Sequence, residues 1–277
     1  MLYKVVAIFS MAAVTVAVAN ANVISALTTN GSATAVNAGD VRLTNDFQQA
    51  GSAFLPLAYG FDANTTFSAS FQWTSSNLGD HTVFNRGGDG FAFVIQNDPA
   101  GAQALGAAGG NLAFKGDPNA LPPIPPISPG LAIAFDIFGF FCGTNGNTIC
   151  DQTSGPVPPQ TTFDVLGGSA PTLGDLIGAS FTRFAWVDYA QSTQTLSVFY
   201  SDTAVKPGTP VLTDTLDLNA LLGSQAYFGF SGATGDATVT TDLTSFDLSD
   251  VSTVPEPATM LPLAWILGAA LLLRGRF

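Results

Sequence analysis

Alternation of apolar and polar residues with a period of two constrains this chain more than any other feature. In "TFSASFQWTS", the side chains of Phe67, Ala69, Phe71 and Trp73 lie on one side and polar side chains on the other. Similar short runs are "FAFVIQ", "LAIAFDIF", "RFAWVDYA", "TLSVFYSD", "AYFGFSG" and "TSFDLS", and Gly, Pro, Asn and Asp separate them. Because successive side chains of a strand point to opposite faces, the pattern predicts an all-β chain. The number and shortness of the strands favour an antiparallel β-sandwich or jelly roll.

Proline marks two irregular stretches, "GDPNALPPIPPISPG" (116–130) and "QTSGPVPPQ" (152–160). Proline cannot donate a hydrogen bond to a central strand ladder, so both stretches are predicted to be surface loops of a single domain. The segment "PTLGDLIG" (171–178) is predicted to hold at most a turn of helix.

The beginning of the chain has the features of a signal peptide. Lys4 precedes an apolar run that ends at Ala19-Asn20-Ala21, an A-x-A cleavage pattern. We therefore expect residues 1–21 to be removed, the mature chain to begin near Asn22, and the protein to be exported.

The C-terminal tail, 251–277, combines "VPEP" at 254–257 with an apolar run, Ala258–Leu273, and a basic end. Sixteen helical residues span roughly 24 Å, which is short of a hydrocarbon core of ~30 Å, so a lasting transmembrane helix is a marginal interpretation. The tail resembles the PEP-CTERM sorting signal of exported Gram-negative proteins. The resemblance implies recognition and cleavage by an exosortase, with only transient membrane contact.

Charge and missing residue types exclude several classes of function. The chain has 20 acidic and 8 basic residues, and a surface of that sign repels nucleic acid. The one glutamate, Glu256, lies in the tail, whereas glycosidases commonly use a pair of carboxyl groups that includes glutamate. The one histidine, His81, has no G-x-S-x-G partner for a triad and is predicted to be a loop residue. We therefore expect no enzyme and no transition-metal cofactor.

Two cysteines, Cys142 and Cys150, lie eight positions apart. An oxidising compartment favours a disulfide between them, whose Cα atoms should then lie within about 7 Å.

Two aspartates stand out in this apolar chain. Asp89 lies between Gly88 and Gly90 in "GGDGFAFVIQND", where it could either form a turn or bind a ligand. Asp136 lies in mid-strand beside small alanines, followed by the oxygen donors of "CGTNGNTICD". That combination suits a Ca²⁺ ion, but it equally suits an Asn/Gly turn with a solvated acid.

Several segments, in order, resemble the L-type (legume-type) lectin domain, a concanavalin-like jelly roll. These segments are "VRLTNDFQQAGSAFLP" (41–56), "DGFAFVIQND" (89–98), "GGNLAF" (109–114), "AIAFDIF" (132–138), "FAWVDYAQSTQTLSVFYS" (184–201) and "YFGFSGATG" (227–235). They are distributed along most of the predicted domain, 22–250.

The resemblance implies a role for each matching residue. Asp89, preceded by a cis peptide bond, would accept hydrogen bonds from two sugar hydroxyls, and Gly110 would donate its backbone N–H to the same sugar. The carbohydrate-binding set is Asp89, Gly110, Phe138 and Asn145, and the Ca²⁺ set is Asp136, Phe138, Asn145, Asn147 and Asp151. Two departures stand out: Ala134 replaces the glutamate of the second metal site, and Phe140 replaces an asparagine that binds both Ca²⁺ and sugar.

These observations predict an exported, Ca²⁺-assisted protein that binds exopolysaccharide or cell-surface glycans. It would lie at the cell surface or in the extracellular matrix of a Gram-negative bacterium. The alternative is a structural or adhesive matrix protein on the same fold with a degenerate sugar site, and a glycoside hydrolase ranks third.

Overall fold

The computed structural model describes residues 22–80, 87–144, 148–155, 161–165, 173 and 180–249. The predicted signal peptide and sorting tail lie outside these residues, as do His81 and, apart from Leu173, the segment 171–178. Among the described residues, no helix is both long and apolar enough to cross a membrane.

Antiparallel strands make up nearly all of the described structure. The strands are Thr28–Gly31 (β1), Thr34–Asn37 (β2), Asp40–Thr44 (β3), Ala50–Phe54 (β4), Tyr59–Gly60 (β5), Thr66–Asp80 (β6), Gly90–Gln96 (β7), Gly130–Asp136 (β8), Thr148–Ser154 (β9), Thr161–Val165 (β10), Phe181–Ala190 (β11), Thr195–Ser201 (β12), Leu212–Thr215 (β13), Gln225–Ala233 (β14) and Ala237–Ser249 (β15). One short α-helix, α1 (Leu218–Leu222), follows its N-cap Asp217, whose side chain accepts a hydrogen bond from the Ala220 N–H. Single 3₁₀ turns occur at Ile24–Ala26, Gly101–Gln103 and Gly109–Asn111.

The strands form two sheets. The front sheet has the order β1-β4-β14-β7-β8-β9-β10, with β5 also paired to β14, and the back sheet has the order β13-β12-β11-β6-β15-β3-β2. All the pairings are antiparallel, in keeping with the predicted jelly-roll sandwich.

The alternating side chains build the core between the sheets. Phe71 of the back sheet contacts Phe93, Phe135 and Phe230 of the front sheet, with ring centroids 5.1–5.7 Å apart. Trp73 packs beside Phe71 and is 1% exposed. Edge-to-face and offset aromatic pairs of this kind stabilise a core beyond their buried area.

A second apolar cluster covers the outer surface of the front sheet. It joins small residues of the central strands to side chains of the 101–144 connections, and its members include Ala92, Val94, Leu112, Phe114, Ala132, Ala134, Phe141 and Cys150. The strands β7 and β8 are therefore buried on both faces. This packing fixes the connections on which the candidate site is built.

The two predicted loops have different outcomes. The stretch 116–130 is irregular up to Gly130, with one isolated bridge between Asp117 and Ile124. The prediction that a loop begins at residue 152 is wrong, because β9 continues to Ser154, which pairs with Gly130. The prolines that motivated the loop begin only at Pro156.

Candidate functional site

Asp89 lies at the entrance to β7, where its backbone is fixed on both sides. Its N–H donates to the Ala233 carbonyl at 3.1 Å, and its own carbonyl accepts from the N–H groups of Ile137 and Phe138 at 2.9 and 3.1 Å. The Gly88–Asp89 peptide bond is cis, and Gly90 has a φ of 137° that favours glycine. The chain therefore places one carboxylate at the junction of three central strands.

The carboxylate of Asp89 is buried yet incompletely satisfied. The residue is 4% exposed, and Oδ2 has no hydrogen-bond partner among the described residues. The pKa of Asp89 is raised to about 7, chiefly by burial and next by the charge of nearby Asp136, while a hydrogen bond from the Gly235 backbone opposes the rise. Because an unpaired buried acceptor is costly, its persistence here indicates a place for a donor from outside the chain.

Asp89 lines a cavity of about 300 Å³. The lining residues are Asp89, Gly109, Gly110, Phe138, Phe140, Gly235, Asp236 and Ala237. The cavity thus combines two acids, a glycine-rich rim and two aromatic rings.

Glycines allow the backbone to approach the carboxylate closely. A Cβ on Gly235 would lie 3.1 Å from Asp89 Oδ2, and Gly109, with a φ of 64°, donates its N–H to the Thr234 carbonyl at 3.0 Å. The N–H of the next residue, Gly110, has no hydrogen-bond partner within the described part of the chain. The rim therefore offers a backbone donor beside the Asp89 acceptor.

Two phenylalanines form the apolar side of the cavity. The rings of Phe138 and Phe140 are stacked, with centroids 5.1 Å apart and planes at 25°. Phe140 is 70% exposed, and its Cβ lies 2.5 Å from the position that a Cβ on Gly110 would occupy. An exposed aromatic ring beside hydrogen-bonding groups suits the apolar face of a sugar.

Comparisons with known proteins show what this chain is similar to. The family model described as "Legume lectin domain" matches residues 162–261. The probable L-type lectin-domain containing receptor kinase S.7 of Arabidopsis thaliana is 33% identical over 194 residues, which are 65% of this chain and 26% of the plant protein. The chain spans about a quarter of the length of the curated relatives it matches.

Solved lectin structures resemble this chain over a longer stretch of residues than the family model matches. Basic winged bean lectin, crystallised with Tn-antigen, has a TM-score of 0.61 at 20% identity, covering 85% of this chain and 96% of the lectin. Arcelin-5 from Phaseolus vulgaris, described as a lectin-like defence protein, has a TM-score of 0.56 at 19% identity and covers 86% and 96% of the two chains. The fold is that of a legume lectin domain. The predicted fold class is therefore confirmed.

The resemblance to legume lectins implies a calcium ion, but the described residues do not fit one. Asp136 is fully buried, and its two carboxylate oxygens accept the N–H groups of Gly139 at 2.7 Å and Cys142 at 2.8 Å. Calcium takes six to eight oxygen ligands. No group of three acidic, histidine or cysteine side chains among the described residues could hold a metal.

Asp151, another predicted metal ligand, does not lie beside Asp136. Asp151 lies within β9 rather than in a loop, and it pairs with Ile133, while Asp136 pairs with Thr148. Positions 133 and 136 of β8 differ in parity, so Asp136 and Asp151 face opposite sides of the front sheet. Asn145 and Asn147 lie outside the described residues.

A disulfide joins Cys142 to Cys150 and connects the loop after β8 to β9. The Cα atoms are 6.0 Å apart, inside the range expected for the predicted pair. The bond closes the loop that carries Phe140, so it holds one aromatic side of the cavity to the sheet.

Sequence reasoning missed three residues of this site. Lys115 donates from Nζ to the Phe141 carbonyl at 2.7 Å, while Gly235 and Asp236 line the cavity from the turn between β14 and β15. The "GFSGATG" motif pointed to that turn without assigning a contact. Lys115 had no sequence signal, because it lies far along the chain from Asp136.

Proposed function

We propose that this protein binds neutral glycans, exopolysaccharide or cell-surface glycans among them, in the cavity at Asp89. The proposal is carried by Asp89, which lines the cavity together with Gly110 and whose buried Oδ2 has no hydrogen-bond partner among the described residues. A carboxylate offers two acceptor oxygens to hydroxyls of one sugar, and the backbone N–H supplies a donor that a carboxylate lacks. The rings of Phe138 and Phe140 supply the apolar contact.

Charge supports the choice of neutral sugars. Asp89 and Asp236 both line the cavity, and the chain carries a formal net charge of −12. An acidic sugar would bring a further negative charge into a buried acidic site, which is unfavourable unless a cation pairs with it. Neutral hydroxyls, in contrast, can donate directly to the carboxylate.

We propose binding without catalysis. A glycosidase needs two carboxyl groups that flank the scissile bond, one as an acid and the other as a base or nucleophile. Both oxygens of Asp136, the acid whose charge raises the pKa of Asp89 most, already accept backbone N–H groups. The curated relatives are receptor kinases by name, but this chain spans only about a quarter of their length. Kinase activity is therefore not part of the proposal.

A structural or adhesive matrix protein with a degenerate sugar site is the second candidate. Phe140, at the position of an asparagine in the lectin family, favours it by removing a polar group from the rim. A glycan array separates the two candidates. Saturable binding to a neutral glycan, competed by the free oligosaccharide, supports the lectin, whereas an array without any binding supports the matrix protein.

Gly110→Ala is expected to reduce glycan binding about tenfold. The added methyl group would lie 2.5 Å from Phe140 Cβ, so the ring and the backbone donor must move apart. Gly208→Ala is the control, because a Cβ there meets nothing within 4 Å. Titration of both variants with the glycan found on the array gives the measurement, and equal affinities would contradict the assignment of the rim.

We also propose export and removal of the tail by an exosortase, so that the protein reaches the cell surface or the extracellular matrix of a Gram-negative bacterium. The support is the order of features in the chain: a basic residue and apolar run at the start, and "VPEP", an apolar run and arginines at the end.

The tail proposal has a direct test in the intact mass of the protein released from cells. We expect a species that begins near Asn22 and lacks the residues beyond about Val254. A mature species that still contains Trp265 and Arg274 would rule out removal of the tail.

A further inference from the structure

The buried carboxylate of Asp136 requires a source of positive charge. Asp136 is fully buried, and its oxygens accept hydrogen bonds from the N–H groups of Gly139 and Cys142 in the loop of residues 137–144, called the 137–144 loop below. A buried charge is costly unless it is paired, and two amide donors bring only partial positive charge. No Lys or Arg nitrogen lies within 4 Å of Asp136 among the described residues.

Lys115 brings a full positive charge to this loop. Its Nζ donates to the Phe141 carbonyl at 2.7 Å and lies 4.1 Å from the centroid of the Phe141 ring. The Phe141 carbonyl also accepts from Gln152 Nε2 at 2.9 Å, which ties the same point to β9. The ammonium is thus fixed by a carbonyl, an aromatic face and the sheet, rather than moving freely in solvent.

One peptide group links this ammonium to Asp136, because its carbonyl, that of Phe141, accepts from Lys115 Nζ and its N–H, that of Cys142, donates to Asp136. Burial lowers the pKa of Lys115, and the Asp136 charge opposes that change. Burial raises the pKa of Asp136, and backbone hydrogen bonds from the loop and the Lys115 charge oppose that rise. Each group therefore stabilises the charged form of the other without direct contact.

The other cationic side chains of the described residues are engaged elsewhere. Arg42 pairs with Asp242, Arg183 donates to Tyr200 Oη, and Lys206 pairs with Asp188. All three lie on or beside the back sheet, because their partners belong to β15, β12 and β11. Among the described residues, Lys115 is therefore the cationic side chain that contacts the 137–144 loop.

We infer that the Lys115 ammonium is the built-in cation of the 137–144 loop and orders it in place of a divalent metal ion. The amide donors to Asp136, the carbonyl under Lys115 and the Cys142–Cys150 bond together fix the loop that carries Phe138 and Phe140. The loop is therefore ordered without calcium. This inference does not rest on glycan binding.

The first test measures thermal unfolding of the exported protein after dialysis against EDTA, and again in millimolar Ca²⁺. We expect the same Tm in both conditions, because an ion that does not bind the folded state does not stabilise it. A Tm that rises saturably with Ca²⁺ concentration would overturn the inference.

The second test compares hydrogen exchange in Lys115→Met, Lys115→Arg and Lys206→Met. Lys115→Met keeps most of the apolar stem but removes the charge, so the amides of Gly139 and Cys142 should exchange about tenfold faster. Lys115→Arg should restore protection. Lys206→Met is the matched control, since it removes an ammonium that lies 4.3 Å from the centroid of the Phe199 ring on the back sheet.

The hydrogen-exchange rates decide whether Lys115 orders the 137–144 loop. Faster exchange confined to the 137–144 loop in Lys115→Met supports the inference, and unchanged exchange there overturns it. If Lys115→Met does not fold, the decision falls to Lys115→Arg and to the wild type in EDTA. Protected loop amides in Lys115→Arg and a wild-type Tm that EDTA does not change support the inference. Loss of that protection and a wild-type Tm that depends on Ca²⁺ overturn the inference.

Discussion

Replacing Asp89 by asparagine is expected to remove most glycan binding while leaving the fold intact. The amide loses one acceptor oxygen and presents an NH₂ group to sugar hydroxyls that were themselves donating. A hydrogen bond to a charged group contributes ~1.5–3 kcal/mol, so the affinity should fall roughly tenfold to a hundredfold. Titration with a glycan that the wild type binds provides the measurement.

The same substitution should stabilise the unliganded protein above neutral pH. Raising the pKa of a buried carboxyl from 3.8 to about 7 costs at most about 4 kcal/mol in free energy of unfolding once the group is charged, at about 1.4 kcal/mol per pH unit. Water in the open cavity reduces that cost, so we expect Asp89→Asn to gain ~1–3 kcal/mol at pH 8. Such a gain together with lost binding is typical of a functional residue.

Asp62→Asn is the matched control for the substitution. Asp62 is an exposed turn residue whose carboxylate accepts the Asn64 N–H at 2.8 Å, a role that asparagine fills equally well. Both binding and stability should stay at wild-type values. If Asp89→Asn were as silent as Asp62→Asn, Asp89 would be a turn residue and the matrix-protein alternative would stand.

Glycan affinity is expected to depend steeply on pH. Binding requires the charged form of Asp89, whose pKa is about 7 in the free protein. Affinity should therefore be constant above pH 8 and fall roughly tenfold for each pH unit below 7, reaching about a hundredfold loss at pH 5. Calorimetric titrations from pH 5 to 8 measure this slope and the proton released on binding at neutral pH.

The stability of the unliganded protein should change in the opposite direction. Because the pKa of Asp89 is raised on folding, the native state binds more protons than the unfolded state between about pH 4 and 7. The contribution of Asp89 to stability is therefore complete below pH 4 and is lost as the pH rises through 7. Asp136 also has a raised pKa, so the contribution of Asp89 to the pH dependence must be separated from that of Asp136. Asp89→Asn separates them, because the residual glycan affinity of this variant should vary little with pH. A wild-type affinity that is flat from pH 5 to 8 would refute the role of the carboxylate.

The sandwich was predictable because strand periodicity reflects burial directly. The alternation in 67–73 and 184–201 appears as core and surface faces of β6, β11 and β12. Short elements were harder to predict from the sequence. The helix α1 depends on the Asp217 cap and on the leucines at 218, 221 and 222, which reach the core only in the folded chain. The start of the second loop was misjudged because a proline run indicates where a strand must stop, not where its last pair lies.

The site was only partly predictable, for a geometric reason. Asp89, Gly110 and Phe138 meet at one cavity, as the resemblance implied, because each adjoins the end of a central strand or its neighbouring loop. Asp151 was placed with Asp136 on chemistry alone, yet a difference of one position in a strand reverses the face of a side chain. Lys115 could not be paired with Asp136 from the sequence, since only tertiary packing brings them close.

The strand order also governs when the protein can acquire its structure during synthesis. β14 lies between β4 and β7 in the front sheet, and β15 lies between β6 and β3 in the back sheet. A nascent chain that ends before Gln225 therefore has two interrupted sheets and lacks Gly235 and Asp236 at the cavity. Because such distant pairings form late, the growing polypeptide stays without its native core until nearly the whole domain has left the ribosome.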